Sequence, residues 1–312
     1  MNRPFLIAVY IFFGTLLTLR LILSNPQTIP VSDENGLGLF STSARHSLVN
    51  INNQIFQPKT AALVNGVLWG DKSSFSRKDW SLLRSSGLTH IAVASGMNLV
   101  LLTGVLTLIL PKRRDLNIIL SLLIASIYAL VTGFQAPIVR ALLMLVFTYS
   151  ATLTGRPSAK FSGLLLAGYV LLMISPEQIT SVSFQLSFMA AAGQLMIPTF
   201  TARIIALNRF IISDLTQTVM AQILTLPITV SIFGNYSIAS ILVNALVLWS
   251  VSWIMILGGV AGFAGWFFLP LGRLLALPLE GLSFYFWQVV GYFGSQSWSL
   301  VRTPKIDLTA QI

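Results

Sequence analysis

From Leu88 to Leu300 the chain scarcely leaves apolar sequence, and its uncharged runs have the length of a bilayer crossing. Runs 88–111, 116–139, 141–155, 161–176 and 178–202 each fit one helical span of about 20 residues, allowing for tilt and proline kinks. The run 215–272 is 58 residues long and must hold at least two, with Gly234–Ser237 as the turn between them. A last apolar, aromatic-rich stretch covers 274–300, and another lies near the start at 5–23. Backbone in hydrocarbon must satisfy its own hydrogen bonds, so runs of this length predict helices. The expected fold class is all-α, a polytopic helical membrane bundle of about eight or nine spans with a short outer segment.

Composition agrees. Charged residues make up 9% of the chain and the apolar set 55%, too little charge to coat a soluble globule with so much apolar surface to hide. With no cysteine there is no thiol nucleophile, disulfide or thiolate site, and two histidines are too few for a His-rich metal centre. The balance of 19 basic against 9 acidic residues would suggest a nucleic-acid partner in a soluble protein. In a membrane protein it first reflects cytoplasmic loops.

Those loops orient the bundle. Lys112, Arg113 and Arg114 share one short loop, Arg156 and Lys160 another, Arg203 and Arg209 a third. The alternate turns near Phe134–Ala136, Glu177–Thr180 and Gly234–Ser237 hold no lysine or arginine. The positive-inside rule therefore places the basic loops and the N-terminus in the cytoplasm and residues 24–87 outside. Leu21, Ile22, Leu23 and Ser24 offer no signal-peptide cleavage site after Arg20, so 1–24 is expected to be an uncleaved anchor. Residues 25–87 read as an extracytoplasmic segment with amphipathic helices. Ala44, Leu48, Ile51 and Ile55 mark one helical face, with short helical runs near Ala61–Leu68 and Arg77–Arg84. The multi-pass domain is 88–312.

Chemistry-bearing residues are few. His90 and Ser95 are five apart, about 140° round a helix, so they do not form a nucleophile and base. Arg140 stands near the end of its span that lacks basic residues. It either snorkels to headgroups or faces an aqueous cavity, where it would meet an anion or Glu177. Gln185, Gln194, Gln222 and Asn244 each demand a polar partner in hydrocarbon, which fits either a polar-glued bundle or a hydrated path. Glu280 is the one acidic candidate within a span, so a proton-coupled transporter would rest on that residue.

Five segments in order resemble the competence domain of the ComEC family: 62–71 (ALVNGVLWGD), 87–98 (GLTHIAVASGMN), 136–144 (APIVRALLM), 183–188 (SFQLSF) and 236–244 (YSIASILVN). Together they span roughly residues 60–250. Asn98 stands where many members carry a second histidine, and the proline usual soon after the match to Asn244 is missing. Segment 24–87 is too short for the family's outer OB-fold plus the linking helices, and no metallo-β-lactamase-like domain follows the last span, so a stand-alone competence domain is expected.

The resemblance implies a channel that passes one DNA strand across the bacterial plasma membrane in natural transformation, without catalytic residues, metal or cofactor. A stacked strand places about one phosphate per 3.4 Å, so about nine would occupy a 30 Å core, and one arginine cannot neutralise them. The path must be wide and wet, lined by hydroxyls, amides and helix ends. On that reading His90, Ser95, Asn98, Gln135, Arg140, Gln185 and Asn244 line it, and Lys112, Arg113 and Arg114 form the cytoplasmic mouth. The implied partners are single-stranded DNA, the lipid bilayer, an outer DNA receptor, a cytoplasmic motor and a separate nuclease, with homo-oligomerisation open. The alternatives are a transporter for another anionic substrate, nucleotide or lipid-linked, and an intramembrane enzyme.

Overall fold

The computed structural model describes residues 36–91, 95–109, 113–153, 160–201 and 209–302. The expected anchor at 1–24, Lys112, Arg156 and Arg203 lie outside the described residues. Eleven α-helices carry the described chain: α1 Gly36–Ile55, α2 Pro58–Trp69, α3 Arg77–Ser85, α4 Gly96–Ile109, α5 Arg114–Val131, α6 Ala136–Leu153, α7 Lys160–Ile174, α8 Val182–Thr201, α9 Arg209–Phe233, α10 Ser240–Phe267 and α11 Leu269–Gly294. A 3-10 turn, Pro176–Thr180, joins α7 to α8. Strands β1 (Asn235–Ser237) and β2 (Leu300–Arg302) form a small antiparallel ladder with Tyr236 opposite Val301.

Helices α6, α9 (over Thr216–Phe233), α10 and α11 are long and apolar enough to cross a membrane, and α4, α5 and α7 are shorter apolar helices among the described residues. The chain is an all-α helical membrane protein. Helix α10 shows how sequence sorts onto a lipid-solvated helix. Val243, Val247, Val251, Ile254, Gly258, Ala261 and Gly265 are buried, while Leu246, Trp249, Trp253, Val260, Phe263 and Phe267 are exposed. Since lipid is as apolar as leucine, small residues mark the helix interface and bulky ones can face outward. The α10–α11 pair depends on this: a Cβ on Gly272 would lie 2.6 Å from the Gly265 Cα.

The polar N-terminal segment does not stand apart. Helices α1 and α2 form a hairpin whose residues Ile55, Leu63, Val64 and Val67 share one core with Val247, Ile254, Leu279 and Phe286 of α10 and α11. Every residue of α2 from Thr60 to Leu68 is buried. Its ends are set locally, with Pro58 in the first turn and Gly70 in the left-handed conformation (φ 68°) as the C-cap. Asn52 Nδ2 donates to Asn65 Oδ1 at 2.8 Å, and Asn65 Nδ2 to Asn53 Oδ1 at 3.1 Å, tying α1 to α2. Helix α3 opens on a capping box between Ser76 and Asp79.

The apolar run that begins at Leu88 enters its helix only at Gly96. The Leu88 N–H bonds the Leu83 carbonyl, the Ile91 N–H bonds the Leu88 carbonyl, and both side chains are buried in the core. These residues are spent on protein rather than lipid. Likewise the run 116–139 is broken at Gly133 (φ 76°) and Phe134 (φ 50°), so the turn precedes the charge at Arg140. Contacts gather the turns at one end of the bundle: Ser41 Oγ donates to the Val131 carbonyl beside that turn, and the Ser237 and Ser299 hydroxyls both donate to the Ser85 carbonyl.

Candidate functional site

At that end Arg140 lies in the second turn of α6, half-buried between α4 and α8. A helix N-terminus already carries the positive end of the macrodipole, so a cation there gains nothing from its own helix. Nor does the packing supply a counter-charge. Arg140 makes no ion pair with Glu177 or any other acid among the described residues; Glu177 is exposed in the 3-10 turn. The Arg140 Nη1 contacts the Met144 sulfur at 4.0 Å, its guanidinium carbon lies 5.9 Å from the Phe188 ring centroid, and its buried Nε has no hydrogen-bond partner. A cation over an aromatic face is stabilised by about 0.5–2 kcal/mol, less than a desolvated guanidinium loses without its acceptors.

The surroundings hold this side chain in place. Gly96, the first residue of α4, faces it: a Cβ there would sit 3.1 Å from Arg140 Nη2 and 3.2 Å from the Ala141 Cβ. Phe188 stacks on Phe184 at 4.3 Å and leans on Gly168, where a Cβ would lie 3.0 Å from the ring. The neighbouring Ser187 hydroxyl is buried without a partner. The result is a planar donor fork fixed among small and aromatic neighbours, with its Nε–H buried and unpaired.

The other expected path residues divide into separate groups. Ser95 Oγ donates to Asn98 Oδ1 at 2.9 Å next to Gly96, so this pair adjoins Arg140. The Asn98 amide, however, points the other way: Nδ2 donates to the Val67 carbonyl and lies 3.4 Å from Tyr128 Oη, which itself donates to the Leu68 carbonyl at 2.7 Å. Those are two of the last carbonyls of α2, which lack helical partners. Asn98 is 3% exposed and serves as a bracket on α2. Gln135 provides the carbonyl that takes the first N–H bonds of α6, from Ile138 and Val139. Gln185 Nε2 donates to the Ile179 carbonyl at 2.9 Å, fastening α8 to the 3-10 turn.

His90 is solvent-accessible and approaches Asn244 of α10, whose Oδ1 is buried without a hydrogen-bond partner. That makes a second polar pair, carried by α10 and the turn before α4. Gln222 belongs to the same end, accepting from Tyr236 Oη at 3.1 Å and Ser240 Oγ at 3.3 Å. Of the expected cytoplasmic mouth, Arg113 is exposed at the start of α5 and Arg114 begins that helix. Glu280 is occupied structurally: its carboxylate accepts the Thr60 hydroxyl and, at 2.9 Å, the Gln57 N–H, capping α2 from α11. Sequence reasoning missed Phe188 and Tyr128. Both had a signal, Phe188 in the SFQLSF segment and Tyr128 as the lone phenol of an apolar span. The described residues hold no group of three or more metal-ligating side chains.

Comparison with known proteins adds three findings. Residues 67–312 match the family model described as Competence protein. ComE operon protein 3 of Bacillus subtilis (strain 168) is 25% identical over 224 residues, 70% of this chain and 28% of that protein. The Escherichia coli (strain K12) protein described as Uncharacterized protein YcaI is 25% identical over 209 residues, 62% of this chain and 28% of its own length. The matched region is thus well under a third of either relative. No solved structure matches the chain.

Proposed function

The chain belongs to the Competence protein family, and from that premise we propose that it conducts a single strand of DNA across the bacterial plasma membrane during uptake. The observation that carries the reading is Arg140, a guanidinium without a carboxylate partner among the described residues and with a buried orphan N–H, between three helices at one end of the bundle. A structural cation in such a place would be paired. One that must meet phosphates in succession is better left unpaired, because conduction needs sites that bind and release. Ser95 beside it and the His90–Asn244 pair supply neutral polar lining of the kind a hydrated path requires. The bundle sits with its N-terminus in the cytoplasm and works with an outer receptor, a cytoplasmic motor and a nuclease. It acts as a conduit, without chemistry of its own.

A transporter of another phosphorylated solute would use the same cation, so the test separates the two. Full-length protein in liposomes is offered fluorescent single-stranded oligonucleotide, with and without excess mononucleotide. Arg140→Gln and Arg140→Ala should abolish uptake at normal membrane abundance, and Arg140→Lys should retain part of it, since a point charge lacks the bidentate fork. Normal uptake by Arg140→Ala removes the residue from the path. Full competition by mononucleotide favours the small-solute reading.

A further inference from the structure

Away from Arg140, α1 and the α2–α3 turn border a half-open cavity of about 340 Å³ lined by Arg45, His46 and Val49 on one side and Asp71, Lys72 and Ser73 on the other. We infer that this cavity is a phosphate-binding cradle that receives the incoming nucleic-acid strand before it reaches Arg140, an assignment that rests on the DNA reading above.

One carboxylate, that of Asp71, borders the cavity. Asp71 Oδ1 accepts the Ser73 N–H at 3.2 Å and the Ser73 hydroxyl at 2.8 Å, and Oδ2 accepts the Ser74 hydroxyl at 2.7 Å. Both oxygens are committed within the turn, and neither Arg45 nor Lys72 forms an ion pair with an acid among the described residues. Asp71 shapes the loop and its charge is felt by Arg45, but it forms no direct ion pair there, so two cations and an imidazole still face a common space.

The frame is firm. Gly70 N–H bonds the Gly66 carbonyl at 3.0 Å, Asp71 N–H bonds the Asn65 carbonyl at 3.2 Å, and Val49 is a buried floor. A guanidinium fork, an ammonium and imidazole N–H donors suit a phosphodiester oxygen pair, and the space holds such a group with several waters.

Position gives the cradle its role. Ser41, one turn before Arg45 on α1, bonds the Val131 carbonyl at the α5–α6 turn, and α6 carries Arg140 just beyond it. A strand held at Arg45 and Lys72 is therefore presented at the end of the bundle where the orphan guanidinium lies.

The test is oligonucleotide binding by the full chain in nanodiscs of zwitterionic lipid, measured against salt. Arg45→Gln with Lys72→Gln should weaken binding about tenfold at low salt, and should lower the slope of log affinity against log salt by about 1.4, two contacts at roughly 0.7 each on a single strand. The charge-conserving pair Arg45→Lys and Lys72→Arg should keep the slope, which separates lost charge from a disturbed fold. Unchanged affinity and slope in the neutralised protein, with wild-type uptake intact, overturns the cradle. Absence of binding and uptake in the wild type overturns the DNA reading itself. If the neutralised protein loses only affinity for a soluble short-chain anionic phospholipid, the cavity belongs to lipid headgroups and the proposal falls.

Discussion

Replacing Asn98 by alanine tests the division between bracket and path directly. The substitution removes the donor to the Val67 carbonyl and the acceptor of the Ser95 hydroxyl, in a place where Asn98 is 3% exposed. The Val67 carbonyl is among the last four of α2 and has no helical N–H to replace the lost one. An orphaned buried acceptor costs about 1–3 kcal/mol, whereas interhelical hydrogen bonds in bilayers average nearer 0.6, because the unfolded helices find other partners. Here the acceptor belongs to a helix buried from Thr60 to Leu68, so the higher range applies, a shift of about 5- to 150-fold in the folding equilibrium.

Tyr128→Phe should cost about 1 kcal/mol through the Leu68 carbonyl alone. The double variant should lose less than the sum, since Nδ2 and Oη already touch at 3.4 Å. Unfolding by denaturing detergent, followed through tryptophan fluorescence, gives all three values, with Trp69 tilted against Tyr128 at 6.4 Å as a local reporter. Asn98→Ala with unaltered stability and abolished uptake would refute the bracket and return Asn98 to the path.

Two further outcomes are expected. Gly193→Ala puts a Cβ 2.6 Å from the Met220 carbonyl oxygen of α9, a backbone atom that cannot rotate away, so the α8–α9 pair should separate and lose about 1–3 kcal/mol in the same unfolding assay. Burial alone would raise the Asp71 carboxyl, but the Ser74 and Ser73 hydroxyls, the Ser73 N–H and Arg45 together hold it below its ordinary value. A depressed acid stabilises the fold above its unfolded pKa of about 3.9 and loses that contribution as pH falls through the folded value. Protease cleavage in the 70–76 turn should therefore rise as pH drops below about 4 in the wild type and stay flat in Asp71→Asn.

What could be read from the chain depended on the range of the interaction. The helical runs near 61–68 and 77–84 and the turn at Phe134–Ala136 are local, set by Pro58, the Ser76–Asp79 box and Gly133, and all were visible. The burial of α2 was not. A twelve-residue helix that is mostly apolar reads like any short hydrophobic run, and only Asn52 opposite Asn65 shows that it lies inside protein. Arg140 was legible as an anomaly because a charge breaks an apolar run on the side where basic residues are scarce. Its neighbours were not, since Gly96 and Phe188 come from helices 40 to 50 residues away in sequence and glycine advertises no partner. Amides are ambiguous for the same reason: Asn98, Gln185 and Asn244 look alike in the chain, yet one brackets a helix end, one fastens a turn and one keeps an unbonded oxygen.

The α1–α2 hairpin also sets a schedule for biogenesis. Thr60 and Gln57 find their carboxylate on Glu280, 220 and 223 residues later, and Val64 packs on Gly258 and Leu279. At about 5–20 residues per second, a ribosome needs roughly 10–45 s to reach those partners after the hairpin has emerged. During that interval a helix with polar Thr60 and Asn65 has neither its cap nor its core, and it must wait at the membrane or in the care of the insertion machinery. The first described element of the chain is thus among the last to mature, and any lesion that stops synthesis before α11 strands the hairpin in a form that quality-control proteases can recognise.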